Sequence, residues 1–214
     1  MNRLAVLLLA ISGAVAQAEG IGEVLDRSQQ RRLSGFLAAD PQAPATLRVR
    51  ESFDALVRAT GLQQPVELQV VTGEVVAETI QGRVIVANQS LGDLHEAARL
   101  FVLAHEIGHV SLGHWPKMTL LYQSWLPGEL IQARANEVAA LLGRDASALA
   151  HRQEFEADAF AMRTLQAMGR LPEEIADTLQ GLGVFGDTAT HPGTQRRLSA
   201  LLEADPAPER GNRP

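Results

Sequence analysis

The chain has 214 residues, 46% of them hydrophobic and 21% charged, a balance that suits a soluble globular domain with room for a real core. Net charge is −6, and Lys117 is the lone lysine among 19 basic residues, with no arginine stripe; no positive field draws in nucleic acid, and none is expected as a partner. Cysteine is absent, which excludes disulfides, thiolate zinc sites and a thiol nucleophile, so any metal must be held by His, Asp or Glu.

The first segment, "MNRLAVLLLAISGAVAQAEG", has Arg3 in a short head, an apolar run from Leu4 to Ala16 and the small-x-small site Ala16-Gln17-Ala18. It reads as a secretory signal peptide, residues 1–18, cut after Ala18. A retained anchor is the competing reading, but the apolar run is shorter than the roughly 20 residues a spanning helix needs. No later segment is long and apolar enough to cross a bilayer, so the mature chain is expected to be exported and free of transmembrane spans. Export means the periplasm if the source is Gram-negative.

In the mature chain, "GIGEVLDRSQQRRLSGFLAAD" and "TLRVRESFDALVRATG" carry apolar residues at helical spacing and stop at Asp40-Pro41 and Gly61. The period then changes. "PVELQVV", "EVVAETI" and "RVIVANQ" are short, rich in valine and isoleucine and separated by Thr72-Gly73 and Gln81-Gly82, which predicts a small antiparallel sheet. From Asp93 the pattern is helical almost to the end, with breaks expected at Trp115-Pro116, Pro127-Gly128, Gly143, Gly169 and Gly183 to Gly186. Residues 205–214, "DPAPERGNRP", are polar and proline-rich and are expected to be a disordered tail. Residues 19–204 are then one α+β domain, a small sheet beside helices.

Chemistry concentrates in "RLFVLAHEIGHVSLGHW", residues 99–115. Residues four apart on a helix differ by about 40° in direction, so His105 and His109 project from one face and can grip one ion. Glu106 sits beside them, within reach of a water on that ion, the H-E-x-x-H arrangement in which the glutamate is a general base. The competing reading is a helix with two satisfied histidines. The flanking "FVLA" and "IGHVSLG" bury the helix, where a polar triple with no partner is costly and a metal would supply one. A catalytic zinc needs a third protein ligand. The metzincin pattern fails, because Leu112 and Trp115 stand where it has a glycine and a histidine. His114 lies about 140° around the helix from His109 and reads as structural or helix-capping. In "HRQEFEADAFAMRTLQAMG", Glu154 and Asp158 share a face: Glu154 can bind the metal, and Asp158 can accept a hydrogen bond from a ligand histidine and fix its tautomer. A solvated acidic face is the alternative, and the apolar "AFAM" that follows speaks against it.

Three blocks, "LAHEIGHVSLGH", "EFEADAFAMRTL" and "THPGTQRRLSALL", resemble in order and spacing the signature blocks of the M48 zinc metallopeptidases. The resemblance covers residues 66–202. It implies a mostly helical, zincin-like metalloprotease domain holding one zinc ion per chain, with His105, His109 and Glu154 as ligands, Glu106 as catalytic base and Asp158 behind a ligand. It also implies that His191 and Arg197 lie at the active site, His191 donating a hydrogen bond to the oxyanion or occupying the open zinc position at rest; the competing readings are a loop histidine beside a helix start and an arginine that simply sits in the last helix. His151, three residues before Glu154, is the competing ligand; otherwise it and His95 read as structural. Departures from the family are "VVAETI" where many members have Asn-Ala-Phe, the missing hydrophobic hairpin of membrane-embedded members, and the missing helical-repeat tail of larger periplasmic ones.

The expected function is an exported zinc-dependent endopeptidase in which a zinc-activated water, with Glu106 as base, attacks the peptide bond. Its expected partners are unfolded or misassembled exported polypeptides, in quality control of the cell envelope, with the edge "RVIVAN" (83–88) pairing with an extended substrate. An alternative is a latent zinc-binding chaperone or regulator, plugged by His191 or by residues 117–130, "KMTLLYQSWLPGEL". The apolar residues of that segment suit a lid, a membrane-surface contact or, as the ordinary expectation, packing. A helical interaction module with no metal is the remaining reading.

Overall fold

The computed structural model describes residues 19–171, 174 and 185–204. The expected signal peptide (1–18) and tail (205–214) lie outside them, as does part of the break expected at Gly183 to Gly186. Helix α1 (Ile21–Ser34) leads through the short strand β1 (Leu37–Ala38) to α2 (Pro44–Thr60), which begins with proline in its first turn and is closed by left-handed Gly61. Strands β2 (Glu67–Thr72), β3 (Ala77–Ile80) and β4 (Val84–Asn88) follow, then a 3-10 turn (Gln89–Asp93) and helices α3 (Glu96–Ser111), α4 (His114–Trp125), α5 (Gln132–Ala167) and α6 (Thr194–Ala204). The α+β, mostly helical class expected from the sequence is what the chain forms. Among the described residues no helix is long and apolar enough to cross a membrane.

The sheet departs from the expected antiparallel one. Its order is β1-β2-β4-β3, mixed, with β2 and β4 parallel and the outer pairs antiparallel. Hydrophobicity accounts for this. Strand β4 is buried along its whole length, Ile85 and Ala87 facing the main core and Val84 and Val86 the opposite cluster. A strand apolar on both faces belongs in the centre of a sheet. The Gln81-Gly82 turn therefore folds β4 back between β2 and β3. "RVIVAN" consequently carries an inner strand and not an edge, and the edge beside the motif helix is β3. Strand β1 lies where helix was expected to run to Asp40: α1 stops at Ser34, and Leu37 and Ala38 pair with Thr72 and Val71.

Helix α3 is buried nearly all round; between Ala97 and Gly108 only Ala98 is not buried. Leu100, Leu103 and Ile107 pack with Val49, Phe53 and Leu56 of α2, Ala161 and Leu165 of α5, and the inner face of the sheet. The buried Arg99 guanidinium bonds Ser52 Oγ (2.7 Å) and the Leu94 carbonyl (3.1 Å), fixing α3 at its start. Gly108 lets α3 and α5 approach: a Cβ there would stand 3.2 Å from Ala157 Cα and 3.2 Å from Phe160 Cβ. The break expected at Trp115-Pro116 falls earlier, at left-handed Gly113 (φ 64°), because proline is tolerated in the first turn of the new helix, where Pro116 sits. The break expected at Gly143 does not occur; α5 runs through it. Breaks do fall at Pro127-Gly128 and Gly169. Within residues 117–130, Tyr122, Trp125, Leu126 and Leu130 pack with Ile21 of α1 and Leu142 of α5 in a separate cluster, in line with ordinary packing.

Candidate metal centre

Helix α3 presents His105 and His109 one turn apart, and α5, drawn close by Gly108, faces them with Glu154. Their ligand atoms lie within 4.8 Å of one another. The two Nε2 atoms are 3.0 Å apart, His105 Nε2 is 3.5 Å from Glu154 Oε2, and His109 Nε2 is 3.4 Å from Glu154 Oε1. Donors set tetrahedrally about 2.0–2.1 Å from a zinc ion would be about 3.3 Å apart, so the spacing suits such an ion. Glu154 Oε2 is moreover buried with no hydrogen-bond partner among the described residues, a costly arrangement that a cation would relieve. The donor set, two imidazoles and a carboxylate, is one that holds zinc while leaving a position open.

The nitrogens facing away from this point are also engaged. His105 Nδ1 meets Asp158 Oδ1 at 2.9 Å, and Asp158, 1% exposed, is gripped by Arg197 of α6 through Nε on Oδ2 (2.7 Å) and Nη2 on Oδ1 (2.5 Å). Burial disfavours the Asp158 charge, but the bonds from Arg197 and His105 outweigh it and hold the carboxyl below its usual range. Glu154 behaves alike: desolvation opposes its charge and the two histidines win, leaving it lowered. Burial works against a charged His105 as well, yet Asp158 and Glu154 raise its pKa to about 10. These side chains, taken alone, make a trap for positive charge, filled by a proton when nothing else is there.

Glu106 is buried beside this cluster, where the Thr79 hydroxyl of edge strand β3 lies 2.8 Å from its Oε2 and 3.0 Å from its carbonyl oxygen. Sequence reasoning missed Thr79. The period-two pattern of "VVAETI" puts Ala77 and Thr79 on one face, but only the sheet order tells which helix that face meets. His191 sits at the rim, 61% exposed, with Nε2 3.8 Å from Glu154 Oε1 and Nδ1 2.9 Å from Thr190 Oγ1. His151 is not in the cluster; its Nε2 donates to the Thr188 carbonyl (2.8 Å), in the loop that carries His191. His95 is exposed at the start of α3. His114 is not a helix cap: Gly113 holds that position, and the buried His114 ring lies against His109.

The sequence model of Peptidase family M48 matches residues 45–205, most of the chain and all of the residues just described. The chain belongs to peptidase family M48. Membership makes it a metallopeptidase by family, and among its described residues His105, His109 and Glu154 form the group able to hold the ion. No curated protein sequence matches this M48 chain.

Proposed function

We propose that this M48 chain is an exported, zinc-dependent endopeptidase of one domain, residues 19–204, released by removal of residues 1–18. The carrying observation is the convergence of His105, His109 and Glu154 at tetrahedral spacing with buried Glu106 alongside. Zinc bound there would act as a Lewis acid, lowering the pKa of water toward ~7 and polarising the scissile carbonyl. Glu106, steadied by Thr79, takes the proton from the attacking water and delivers it to the leaving amine. Asp158 and Arg197 orient His105, and His191 at the rim is placed to donate a hydrogen bond to the developing oxyanion.

Substrate binding is assigned to β3, since β4 is enclosed. Among the described residues the outer edge of β3 has no strand partner, Thr79 ties it to Glu106, and an extended peptide can add to it by backbone hydrogen bonds. Recognition through backbone suits unfolded or misassembled exported polypeptides, and hence quality control in the cell envelope, the periplasm if the source is Gram-negative. His191, so near Glu154, also supports a second reading in which it caps the site of a latent zinc-binding chaperone or regulator.

The test is digestion of an unfolded polypeptide and of peptides blocked at both ends, with purified wild type, a chelated sample and Glu106→Gln. Internal cleavage by wild type, lost on chelation, restored by zinc and abolished in zinc-loaded Glu106→Gln, is expected. Full cleavage by Glu106→Gln would remove the base assignment; zinc without cleavage, even in His191→Ala, would favour the latent reading.

A further inference from the structure

Of the two histidines on α3, His105 has an anionic partner for its outer nitrogen, and His109 has another histidine. His109 turns Nε2 toward His105 and Glu154, and its Nδ1 lies 2.8 Å from Nδ1 of His114. His114 Nε2 in turn lies 3.1 Å from Glu156 Oε2. Helix α5 holds His114 at two points, Gln153 Nε2 donating to its backbone carbonyl (3.1 Å) and Glu156 facing its ring. It is 3% exposed, so water does not compete for its nitrogens.

We propose that His114 is the positioning residue that fixes the tautomer and orientation of His109 for metal binding. The assignment rests on the metal reading given above and follows from counting protons. Two ring nitrogens at hydrogen-bond distance must be one N–H and one lone pair. A metal on His109 Nε2 takes that lone pair, so neutral His109 carries its proton on Nδ1 and donates it to His114 Nδ1. Neutral His114 then carries its own proton on Nε2, where Glu156, an acceptor, receives it. Each of the three contacts is satisfied in this state. In the reverse state, a proton on His109 Nε2 would occupy the metal position and a bare His114 Nε2 would face the Glu156 carboxylate. Partners of this kind tune metal affinity about 10- to 100-fold.

Zinc affinity, measured by competition with a chromophoric chelator, is compared in wild type, His114→Leu and His114→Asn, with folding checked by circular dichroism. His114→Leu should bind zinc about 10- to 100-fold more weakly. His114→Asn, whose side-chain oxygen can stand where Nδ1 stood, should recover most of the loss. Histidine nitrogen NMR of zinc-loaded wild type should show protons on His109 Nδ1 and His114 Nε2. Equal affinity in His114→Leu and wild type overturns the proposal, as does any other tautomer pair. If His114→Leu fails to fold, the NMR result decides alone. Wild type that takes up no zinc overturns the metal reading itself, and this proposal with it.

Discussion

Gly108→Ala tests whether helix spacing sets the metal site. The added Cβ would meet Ala157 Cα and Phe160 Cβ at 3.2 Å, and Ala157 Cα is backbone that no rotamer change can move. Ordinary carbon–carbon contact is about 3.5–4.0 Å, so α3 and α5 must part by about 0.3–0.8 Å. His105 and His109 travel together on α3 and keep their spacing, whereas both distances to Glu154 lengthen from 3.4 and 3.5 Å. Metal–ligand distances tolerate only about 0.2 Å, and misplacement by about 1 Å costs a functional site on the order of 100-fold. Zinc affinity should therefore fall about 10- to 100-fold. Stability should fall by about 0–2 kcal/mol, because overpacking costs about 1–3 kcal/mol while alanine regains about 1 kcal/mol over glycine within a helix. Chelator competition for zinc, beside thermal unfolding of chelated protein, separates the two effects. Unchanged zinc affinity in a folded Gly108→Ala protein would refute the reasoning.

Thr79→Val keeps the shape of β3 but removes the hydroxyl from Glu106; kcat should fall about 10- to 100-fold, from loss of a hydrogen bond to a carboxylate of about 1.5–3 kcal/mol, with zinc content unchanged and recovery in Thr79→Ser. Chelated and zinc-loaded protein should respond oppositely to alkali. The raised pKa of His105 contributes stability that is complete below its ordinary value of 6.5 and is lost as pH rises through about 10, so chelated protein should weaken from neutral to alkaline pH in thermal unfolding. Zinc held by His105 would displace that proton, so apparent zinc affinity should rise over the same range, with about one proton released per ion at neutral pH in unbuffered titration.

How much of this was legible follows from how each residue is placed. His105, His109, Glu154 and Asp158 are positioned by helix periodicity within their own segments, so spacing put each pair on one face before any fold was known. The convergence of α3 and α5 needed packing, and Gly108 is its visible trace. Sheet order was not readable, because a meander and an inserted β4 have the same three apolar runs; the all-apolar "VIVA" against the polar "ET" of β3 was the available clue. His114 was misplaced by assuming one continuous helix, on which it points about 140° away from His109. The left-handed turn at Gly113 swings its ring back, and Pro116, tolerated in the first turn of α4, does not break the helix. Gly143 misled for the opposite reason: a mid-helix glycine costs only about 1 kcal/mol, too little to interrupt α5.

The most direct test of the central claim is the zinc content of the mature protein beside Glu154→Ala, by elemental analysis after gel filtration. One zinc per chain in wild type and a marked loss in the variant is the expected result. Zinc retained without Glu154 would contradict the two-helix site and turn attention to His191, and no zinc in wild type would contradict the metal centre altogether.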